Sequence, residues 1–407
     1  MSILMLAGKS LGNRKATVIL TVSAIAVSVA LLLAVERTRT QAKAHFANTI
    51  SGTDMIVGAR TGPVQLLLYS VFHIGNATNN ISWESYQEIA THRAVKWSVP
   101  LSLGDSHKGF RVLGTETSFF DYYHYGQNQA LQYRDGHPFN AVFDAVIGAE
   151  VAAKLGYEIG DKIILAHGAA STSFAQHSDY PFTITGILKP TSTPVDRTVL
   201  VSLAGIEAIH QSNAAKQAGE PLDPEVITAA LVGLKSKIQL FQLQRFINEY
   251  SEEPLLGIAP GVTLYELWNL MGVAEQALIT ITWFVVATGL IGMLAMIIAS
   301  LNERRREMAI LRAIGARPIH IFLLLVCESG LLALLGAVLG VILLYLSLFL
   351  AQPYLLDQFG LMIHISPLTL HEWQLLAAVI TAGLLVGIIP SIRAFRMSLA
   401  DGMTIRI

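Results

Sequence analysis

The segment at residues 303–317 concentrates the side chains best suited to binding another molecule. It runs ERRREMAILRAIGAR, so charged residues come first and apolar residues follow at helical spacing. Glu303 and Arg306 stand three residues apart, a spacing at which opposite charges meet on a helix. Gly315 supplies a helix stop, and Pro318 can begin the next helix. The pattern predicts a short amphipathic helix that docks in a groove on a partner; the alternative is a solvated basic loop without a partner.

Other reactive side chains form no recognisable catalytic site. The sequence has no G-x-x-x-x-G-K-[ST] loop to cradle nucleotide phosphates, so the chain is not expected to act as an enzyme by itself. Nine histidines lie in residues 36–275, and His124 and His137 near Asp121 suggest a metal site. No His or Cys spacing matches a compact metal motif, which favours scattered surface histidines and predicts no metal or cofactor on this chain. A single cysteine, Cys327, excludes an intrachain disulfide.

Four long apolar runs determine where these residues can lie. They cover residues 16–35, 276–301, 319–351 and 373–392, and each is long enough to cross about 30 Å of hydrocarbon as a helix. With only 14% charged residues, the chain is also too apolar for a soluble protein of 407 residues. The sequence therefore predicts an α-helical membrane protein with four transmembrane helices and one large domain inserted between helices 1 and 2.

The orientation follows from the basic residues beside these runs. Eleven Lys or Arg residues, against three acidic ones, occur in residues 1–15, 302–318 and 393–407. Because basic flanks stay in the cytosol, both termini and the segment at residues 302–318 are predicted to be cytoplasmic. The insert at residues 36–275 and the loop at residues 352–372, which has neither Lys nor Arg, then face outward. The first run is longer than the apolar core of a signal peptide, which predicts an uncleaved anchor.

The insert has the pattern of an α+β domain. It carries 17 basic and 23 acidic side chains, a surplus that argues against nucleic-acid binding. Short apolar runs predict strands at residues 54–57, 145–147, 162–165, 182–188 and 199–201. Helical patterns occur at residues 82–91, 150–155, 203–210 and 241–250. Ser82 is the predicted N-cap of the first of these helices.

The two ends of the insert look like continuations of the membrane helices. Residues 36–48 contain no Gly or Pro, and residues 263–275 carry apolar side chains at helical spacing. These patterns predict paired stalk helices; the alternative, two flexible linkers, would usually contain more Gly, Ser or Pro. A separate apolar run at residues 64–74 has two interpretations, a buried core element or the lining of a substrate or partner groove.

Several segments together resemble the MacB-type ABC transporter permeases, the family that includes the LolC and LolE lipoprotein-release subunits and FtsX. Residues 303–317, followed by Glu328, Gly336 and Gly340, look like the membrane signature of that family. The insert is similar to the MacB-like periplasmic core domain at residues 54–59, 146–160, 186–188 and 198–202, and PSIRAFRMSLADG at residues 390–402 matches the family's ending. The order of one span, a domain and three spans is more specific than any single motif.

The resemblance implies an ATP-driven assembly whose ATPase is a separate polypeptide. Two permeases, identical or different, and two ATPase subunits would assemble, with ATP and Mg bound by the ATPase. The connection between spans 2 and 3 would contact the ATPase. By position, the coupling residues are Glu307, Met308, Leu311, Arg312, Ile314 and Gly315, of which Met308, Leu311 and Ile314 form the docking face.

Within the third span, one charged and two small residues stand out. Glu328 lies about ten residues after Pro318, roughly 15 Å along a helix, which places an ionisable group inside the membrane. It is interpreted either as a polar contact that rearranges between spans or as a carboxylate that reaches toward the interface or fixes packing. Gly336 and Gly340 form a small-xxx-small pair suited to close helix packing.

The expected function is that of a non-catalytic permease in a bacterial inner membrane, with a periplasmic domain that moves when ATP is used. Its leading task would be export or extraction of a substrate from the periplasm or outer leaflet. The alternatives are an FtsX-like regulator of an envelope protein and a peptide sensor, neither of which transports. Expected partners are membrane lipid, the ATPase, a second permease and, according to the task, a periplasmic adaptor, a lipoprotein or an envelope hydrolase.

Overall fold

The computed structural model describes residues 15–167, 180–211, 222–303, 310, 312–313, 315–359 and 365–396. The chain divides into two compact units. The membrane unit comprises Met1–Gln41 and Gly272–Ile407, and the inserted domain comprises Ala42–Met271. The predicted coupling residues Glu307, Met308, Leu311 and Ile314 lie outside the described residues.

The described elements are ten α-helices, fifteen strands and two short 3-10 turns. The helices are α1 (Lys15–Asn48), α2 (Pro63–Val71), α3 (Trp83–Thr91), α4 (Ser118–Tyr122), α5 (Ala149–Leu155), α6 (Leu203–His210), α7 (Leu240–Asn248), α8 (Pro260–Glu303), α9 (Pro318–Phe359) and α10 (Leu370–Arg396). The strands are β1 (Met55–Ala59), β2 (Ile81–Ser82), β3 (Val95–His107), β4 (Phe110–Thr115), β5 (His124–Tyr125), β6 (Gln129–Ala130), β7 (Tyr133–Gly136), β8 (Asp144–Ile147), β9 (Lys162–Ile163), β10 (Ala166–His167), β11 (Phe182–Leu188), β12 (Thr198–Ser202), β13 (Val226–Ile227), β14 (Ala229–Leu234) and β15 (Leu255–Ile258). The 3-10 turns are Pro194–Arg197 and Lys237–Gln239.

Four helices, α1, α8, α9 and α10, are long and apolar enough to cross a membrane. The prediction of four transmembrane helices with a large α+β domain between the first and second is therefore confirmed. Three of these helices are longer than a bilayer requires, among them α9, which has 42 residues. α1 has 34 residues and α8 has 44, so each continues without a break beyond its apolar run.

An eleven-stranded sheet organises the inserted domain. Its main path runs β15-β1-β14-β3-β4-β12-β8-β11-β7, with β9 and β10 pairing off this path. Most neighbours are antiparallel, but β12 is parallel to β4 and β11 is parallel to β8. β1 and β15 pair antiparallel, with Ile56 opposite Ile258 and Ala59 opposite Leu255. Because the strands alternate inward side chains, separate apolar clusters form, one with α2 and others with α3, α5 and α6.

Two predicted elements and one predicted helix cap agree with the structure, and each of them has its pattern within a short stretch of sequence. β11 and α6 have the predicted bounds, and the Ser82 hydroxyl accepts a hydrogen bond from the Ser85 backbone N–H, as an N-cap does. The longest strand, β3, was not predicted because its sequence, VKWSVPLSLGDSH, mixes polar residues with Pro and Gly. A break in its register with β4 lies between Leu103 and Ser106. That irregularity interrupts the period-two pattern that a strand prediction needs.

The apolar run at residues 64–74 is mainly a core element. It forms α2, whose Leu66, Leu67, Tyr69 and Val71 are all buried. Deep burial of these side chains explains why so apolar a helix is stable in a domain that faces water. The core interpretation is therefore confirmed for this helix.

His73, just beyond α2, is held in an unusual backbone conformation. Its φ of 54° lies in the left-handed region, which residues other than Gly adopt only uncommonly. Its Nδ1 lies 3.0 Å from the Thr198 Oγ1, and that hydroxyl donates to the Pro194 carbonyl. The Thr198 oxygen must then accept from His73, so Nδ1 carries the proton of the neutral ring. Burial, with the nearby Arg111 charge, lowers the pKa of His73 to about 4.

His73 is expected to make the inserted domain less stable in mild acid. Between the folded pKa of about 4 and the unfolded value near 6.5, the unfolded chain binds more protons, so stability falls as the pH drops through this window. The expected loss is roughly 2–3 kcal/mol for this half-buried ring. His73→Asn should remove this dependence, since Asn tolerates the left-handed backbone.

Thermal unfolding of the full chain in detergent at several pH values measures the effect. The exposed His137 gives a matched control, His137→Asn, which should keep the wild-type pH dependence. Equal slopes for wild type and His73→Asn between about pH 6.5 and pH 4 would contradict the assignment.

Candidate functional site

The connection between α8 and α9 contains two predicted coupling residues that the structure describes. Arg312 is half-buried, and its carbonyl accepts a hydrogen bond from the Gly315 N–H at 3.0 Å. Gly315 has a φ of 101°, a conformation that favours glycine and ends a helix sharply. α9 then begins at Pro318, and the Arg317 N–H donates to the His320 Nδ1 at its start. The described backbone therefore turns at Gly315, three residues before α9 begins.

Glu328 lies inside the membrane unit and is shielded from its surroundings. Its side chain is only 5% exposed, and Ser329 beside it is fully buried. A carboxylate at this depth is costly unless other groups stabilise it, and Glu328 does interact with neighbouring residues. This burial favours a polar contact within the helix packing over a carboxylate that reaches the membrane surface.

Gly336 and Gly340 lie where α9 packs against α1. A Cβ at Gly336 would lie 2.6 Å from the Ile25 Cβ, and one at Gly340 would lie 2.7 Å from the Val29 Cβ. The backbones therefore approach more closely than larger side chains would allow. α10 packs on α9 in the same manner, because a Cβ at Gly383 would lie 2.5 Å from the Ala333 Cβ. Small residues thus set the spacing of three of the four membrane helices.

A buried ion pair joins the end of the apolar run of α1 to the start of α10. The Arg37 Nε and Nη2 lie 2.9 Å and 3.0 Å from the two Glu372 carboxylate oxygens, in a bidentate arrangement. Both side chains are almost fully buried, at 3% and 2% exposure. The Arg37 guanidinium also stands 5.1 Å from the centre of the Tyr345 ring on α9. One arginine therefore connects three of the membrane helices.

The groups around this ion pair hold both partners in position. Glu372 accepts from the Thr369 N–H at 2.7 Å, while the Thr369 hydroxyl accepts from the Glu372 N–H at 3.3 Å. This reciprocal pair is the capping box of α10. The Tyr345 hydroxyl donates to the Ser366 carbonyl at 2.9 Å. The Arg37 Nη1 has no hydrogen-bond partner within the part of the chain that is described, so the cation depends strongly on Glu372.

Sequence reasoning missed this cluster, although a signal was present. Arg37 lies two residues after the first apolar run, on the side where the predicted orientation disfavours basic residues, and Glu372 precedes the last run. The loop at residues 352–372 contains no Lys or Arg, so a cationic partner for Glu372 had to come from elsewhere. The pairing itself connects residues far apart in sequence and could not be read from either segment alone.

Further contacts tie α1 to α8 within each unit. In the membrane unit, Arg39 bonds to both Glu36 of its own helix and Glu275 of α8. In the inserted domain, the Phe46 and Trp268 rings meet edge to face with their centres 5.5 Å apart. Each unit therefore contains a contact that holds α1 beside α8.

The metal-site hypothesis receives no support from these contacts. His124 and His137 each place Nδ1 within 2.9 Å of a backbone carbonyl, those of Tyr122 and Pro138. In the described part of the chain, no group of three or more His, Cys, Asp or Glu side chains is arranged to hold a metal ion.

Four candidate spans, with one α+β domain inserted after the first, are the architecture of a polytopic membrane protein. Residues 17–249, more than half of the chain, match the MacB-like periplasmic core domain, and residues 279–399 match the FtsX-like permease C-terminal family. The chain therefore belongs to the MacB/FtsX-type ABC transporter permeases, which confirms the resemblance seen in its motifs.

Individual relatives match parts of the chain. It is 31% identical over 159 residues to the macrolide export ATP-binding/permease protein MacB of Escherichia coli K12, and equally to MacB 1 of Escherichia coli O1:K1. The match covers 37% of this chain and 24% of each relative, so the chain aligns with about a quarter of their length.

Two solved structures are similar to part of the chain. The periplasmic region of MacB from Actinobacillus actinomycetemcomitans covers 54% of this chain and 95% of its own, with 10% identity and a TM-score of 0.35. The extracellular domain of the noncanonical ABC-type transporter YknZ from Gram-positive bacteria covers 51% of this chain and 99% of its own, with 14% identity and a TM-score of 0.30.

Proposed function

We propose that this permease transmits the work of an ATPase carried on a separate polypeptide to its inserted domain. The observation that carries the proposal is the continuity of α1 and α8, each of which runs as one helix from the membrane unit into the inserted domain. A continuous helix transmits a displacement better than a flexible linker does. The inserted domain would face the periplasm and both termini the cytosol of a bacterial inner membrane, as the distribution of basic residues indicates.

The proposed input is the connection between α8 and α9. Its apolar residues Met308, Leu311 and Ile314 would enter a groove on the ATPase, with Glu307 and Arg312 beside them and Gly315 ending the helix. ATP and Mg would be bound by the ATPase and not by this chain. A pair of permeases, identical or different, would share two ATPase subunits.

The proposed output is export or extraction of a substrate from the periplasm or the outer leaflet. The names of the matched relatives support export, since they are macrolide export proteins. A second candidate is regulation of an envelope protein without transport, which the match of residues 279–399 to the FtsX-like family favours. An adaptor or lipoprotein partner would accompany the first function and an envelope hydrolase the second.

Affinity purification of the full chain in mild detergent tests the input. The double variant Leu311→Glu with Ile314→Glu places two charges on the proposed docking face and should reduce ATPase recovery by about tenfold or more. A matched control is Ala313→Glu, since Ala313 is an exposed residue of the same segment. Mass spectrometry of the retained proteins measures all three samples.

An ATPase retained by wild type and Ala313→Glu, but lost from the double variant, would support the proposal. Failure of the folded wild type to retain any ATPase would contradict it. Co-purification of an adaptor or lipoprotein would support export, and co-purification of a hydrolase would support regulation.

A further inference from the structure

A polar cleft of about 200 Å³ lies in the inserted domain, next to the end of α2. Its walls come from α2, from the segment that follows it, and from β3 and β4. The residues that matter for its chemistry are His73, Asn76, Asn80, Gly104 and Arg111. Most of the lining is therefore able to form hydrogen bonds, unlike the apolar clusters on either face of the sheet.

Arg111 brings a fixed positive charge to this cleft. Its Nη1 donates to the Asn76 Oδ1 and its Nη2 to the Gly75 carbonyl, both at 2.8 Å. These bonds hold the guanidinium in place but use neutral acceptors. Among the described residues, no carboxylate lies within ion-pair distance of Arg111. The charge therefore remains available to an anion, and the guanidinium has further N–H groups to offer.

His73 adds a hydrogen-bond acceptor to the same cleft. Because its Nδ1–H donates to Thr198, the Nε2 carries the free lone pair of a neutral ring. Thr198 and Arg111 are also direct neighbours across the parallel pair β12–β4. The position of His73 is thus fixed by the same two strands that position Arg111.

The backbone around the cleft is irregular in three places. His73 and Gly75 both have positive φ, at 54° and 80°, and the register break between Leu103 and Ser106 places Gly104 at a bulge. Such departures persist only where surrounding contacts maintain them, and they concentrate at binding sites. No atom lies within 4 Å of a Cβ built on Gly104, so the bulge leaves open space at the cleft.

The nearby acidic groups are engaged elsewhere. The Asp105 Oδ2 lies 3.7 Å from the His210 Nε2 on α6, and Asp196 accepts from the backbone N–H groups of Thr191 and Ser192. Neither forms an ion pair with Arg111. The balance of charge in the cleft is therefore positive.

We propose that this cleft binds an oxyanion group, a carboxylate or a phosphate, on a small molecule or at the end of a chain. Arg111 would bind the anionic oxygens, and the Asn76 and Asn80 side-chain amides would supply further donors. His73 would accept a hydrogen bond from an N–H or O–H of the ligand beside the anion. This site does not depend on the proposed ATPase coupling, and each proposal stands if the other fails.

Isothermal titration calorimetry of the full chain in detergent tests the site. The probes are inorganic phosphate, the tripeptide Ala-Ala-Ala with a free carboxylate, and the same tripeptide with a C-terminal amide. Saturable binding of at least one anionic probe is expected at concentrations up to about 10 mM. Binding of the free-acid peptide but not the amide would identify a chain-end carboxylate, and preference for phosphate would identify a phosphate group.

Two variants test the location in different ways. Arg111→Gln removes the charge, and Gly104→Leu fills the open space while it leaves Arg111 unchanged; each should weaken binding by about tenfold or more. Arg134→Gln is the matched control, because Arg134 is exposed and pairs with Asp135. It should leave binding unchanged.

The proposal is overturned if the folded wild type binds neither anionic probe, or if both cleft variants bind as the wild type does. Circular dichroism of each variant establishes that its fold is intact. If Arg111→Gln unfolds the domain, Gly104→Leu decides the question.

Discussion

Replacing Arg37 by methionine is expected to destabilise the membrane unit by about 3–5 kcal/mol. The substitution removes the bidentate partner of Glu372 and leaves a carboxylate at 2% exposure without its counter-charge. It also removes the cation that stands over Tyr345, so contacts among α1, α9 and α10 are lost together. The measurement is the midpoint of unfolding of the full chain during titration of its detergent micelles with sodium dodecyl sulfate.

A double variant distinguishes a buried unpaired charge from a general loss of packing. Arg37→Met with Glu372→Gln removes both charges, and Gln at position 372 can still form the capping box with Thr369. Most of the stability lost in Arg37→Met should return in this double variant, because no charge remains buried without a partner. A double variant as unstable as the sum of the two single variants would contradict this account.

Replacing Gly148 by alanine should destabilise the inserted domain by about 3 kcal/mol. Gly148 is the N-cap of α5, with an ordinary φ of −68°, so its backbone conformation does not require glycine. The requirement comes from close approach, because a Cβ would collide with the Val195 and Asp196 carbonyl oxygens. Backbone atoms cannot move aside as a flexible side chain can. Thermal unfolding of the full chain should show a Tm lower by roughly 6–12 °C.

A closely matched control exists for this prediction. Gly62 is the N-cap of α2, and its φ of −72° and ψ of 139° resemble those of Gly148. A Cβ there would approach nothing closer than the Gln65 Cβ, at 3.9 Å. Gly62→Ala should therefore cost less than about 1 kcal/mol, the ordinary penalty for alanine at an N-cap. Equal effects of the two substitutions would show that capping, and not the collision, determines stability.

The parts of the fold that the sequence predicted correctly are those with strong local signals. Apolar length identified the four membrane helices, and the short apolar run Phe182–Leu188, which alternates with Thr in its first half, gave β11 its exact bounds. β3 escaped prediction because its pairing with β4 and β14, rather than its own polar sequence, makes it a strand. The eleven-strand order depends on contacts between distant segments, which a local pattern does not contain.

The candidate sites also divide into those that a local sequence pattern predicted and those that depend on contacts between distant residues. The small residues Gly336 and Gly340 were selected by their spacing, and the structure places both against α1. The Arg37–Glu372 pair was not found, since its partners are 335 positions apart. The cleft at Arg111 was also missed. It is created by the register break in β3 and by the left-handed backbone conformation of His73, and no sequence motif indicates either feature.

The pairing of β1 with β15 determines what kind of mechanical load the inserted domain can bear. α1 leads into β1 and β15 leads into α8, and because Ile56 pairs with Ile258, both helices join the same end of this antiparallel pair. If the helices were pulled apart, the hydrogen bonds between the strands would open one after another, as in a zipper, instead of resisting together. If the helices move together, no such peeling force arises. The contact of Phe46 with Trp268 opposes such a separation of the two helices, and it thereby protects the pairing of β1 with β15.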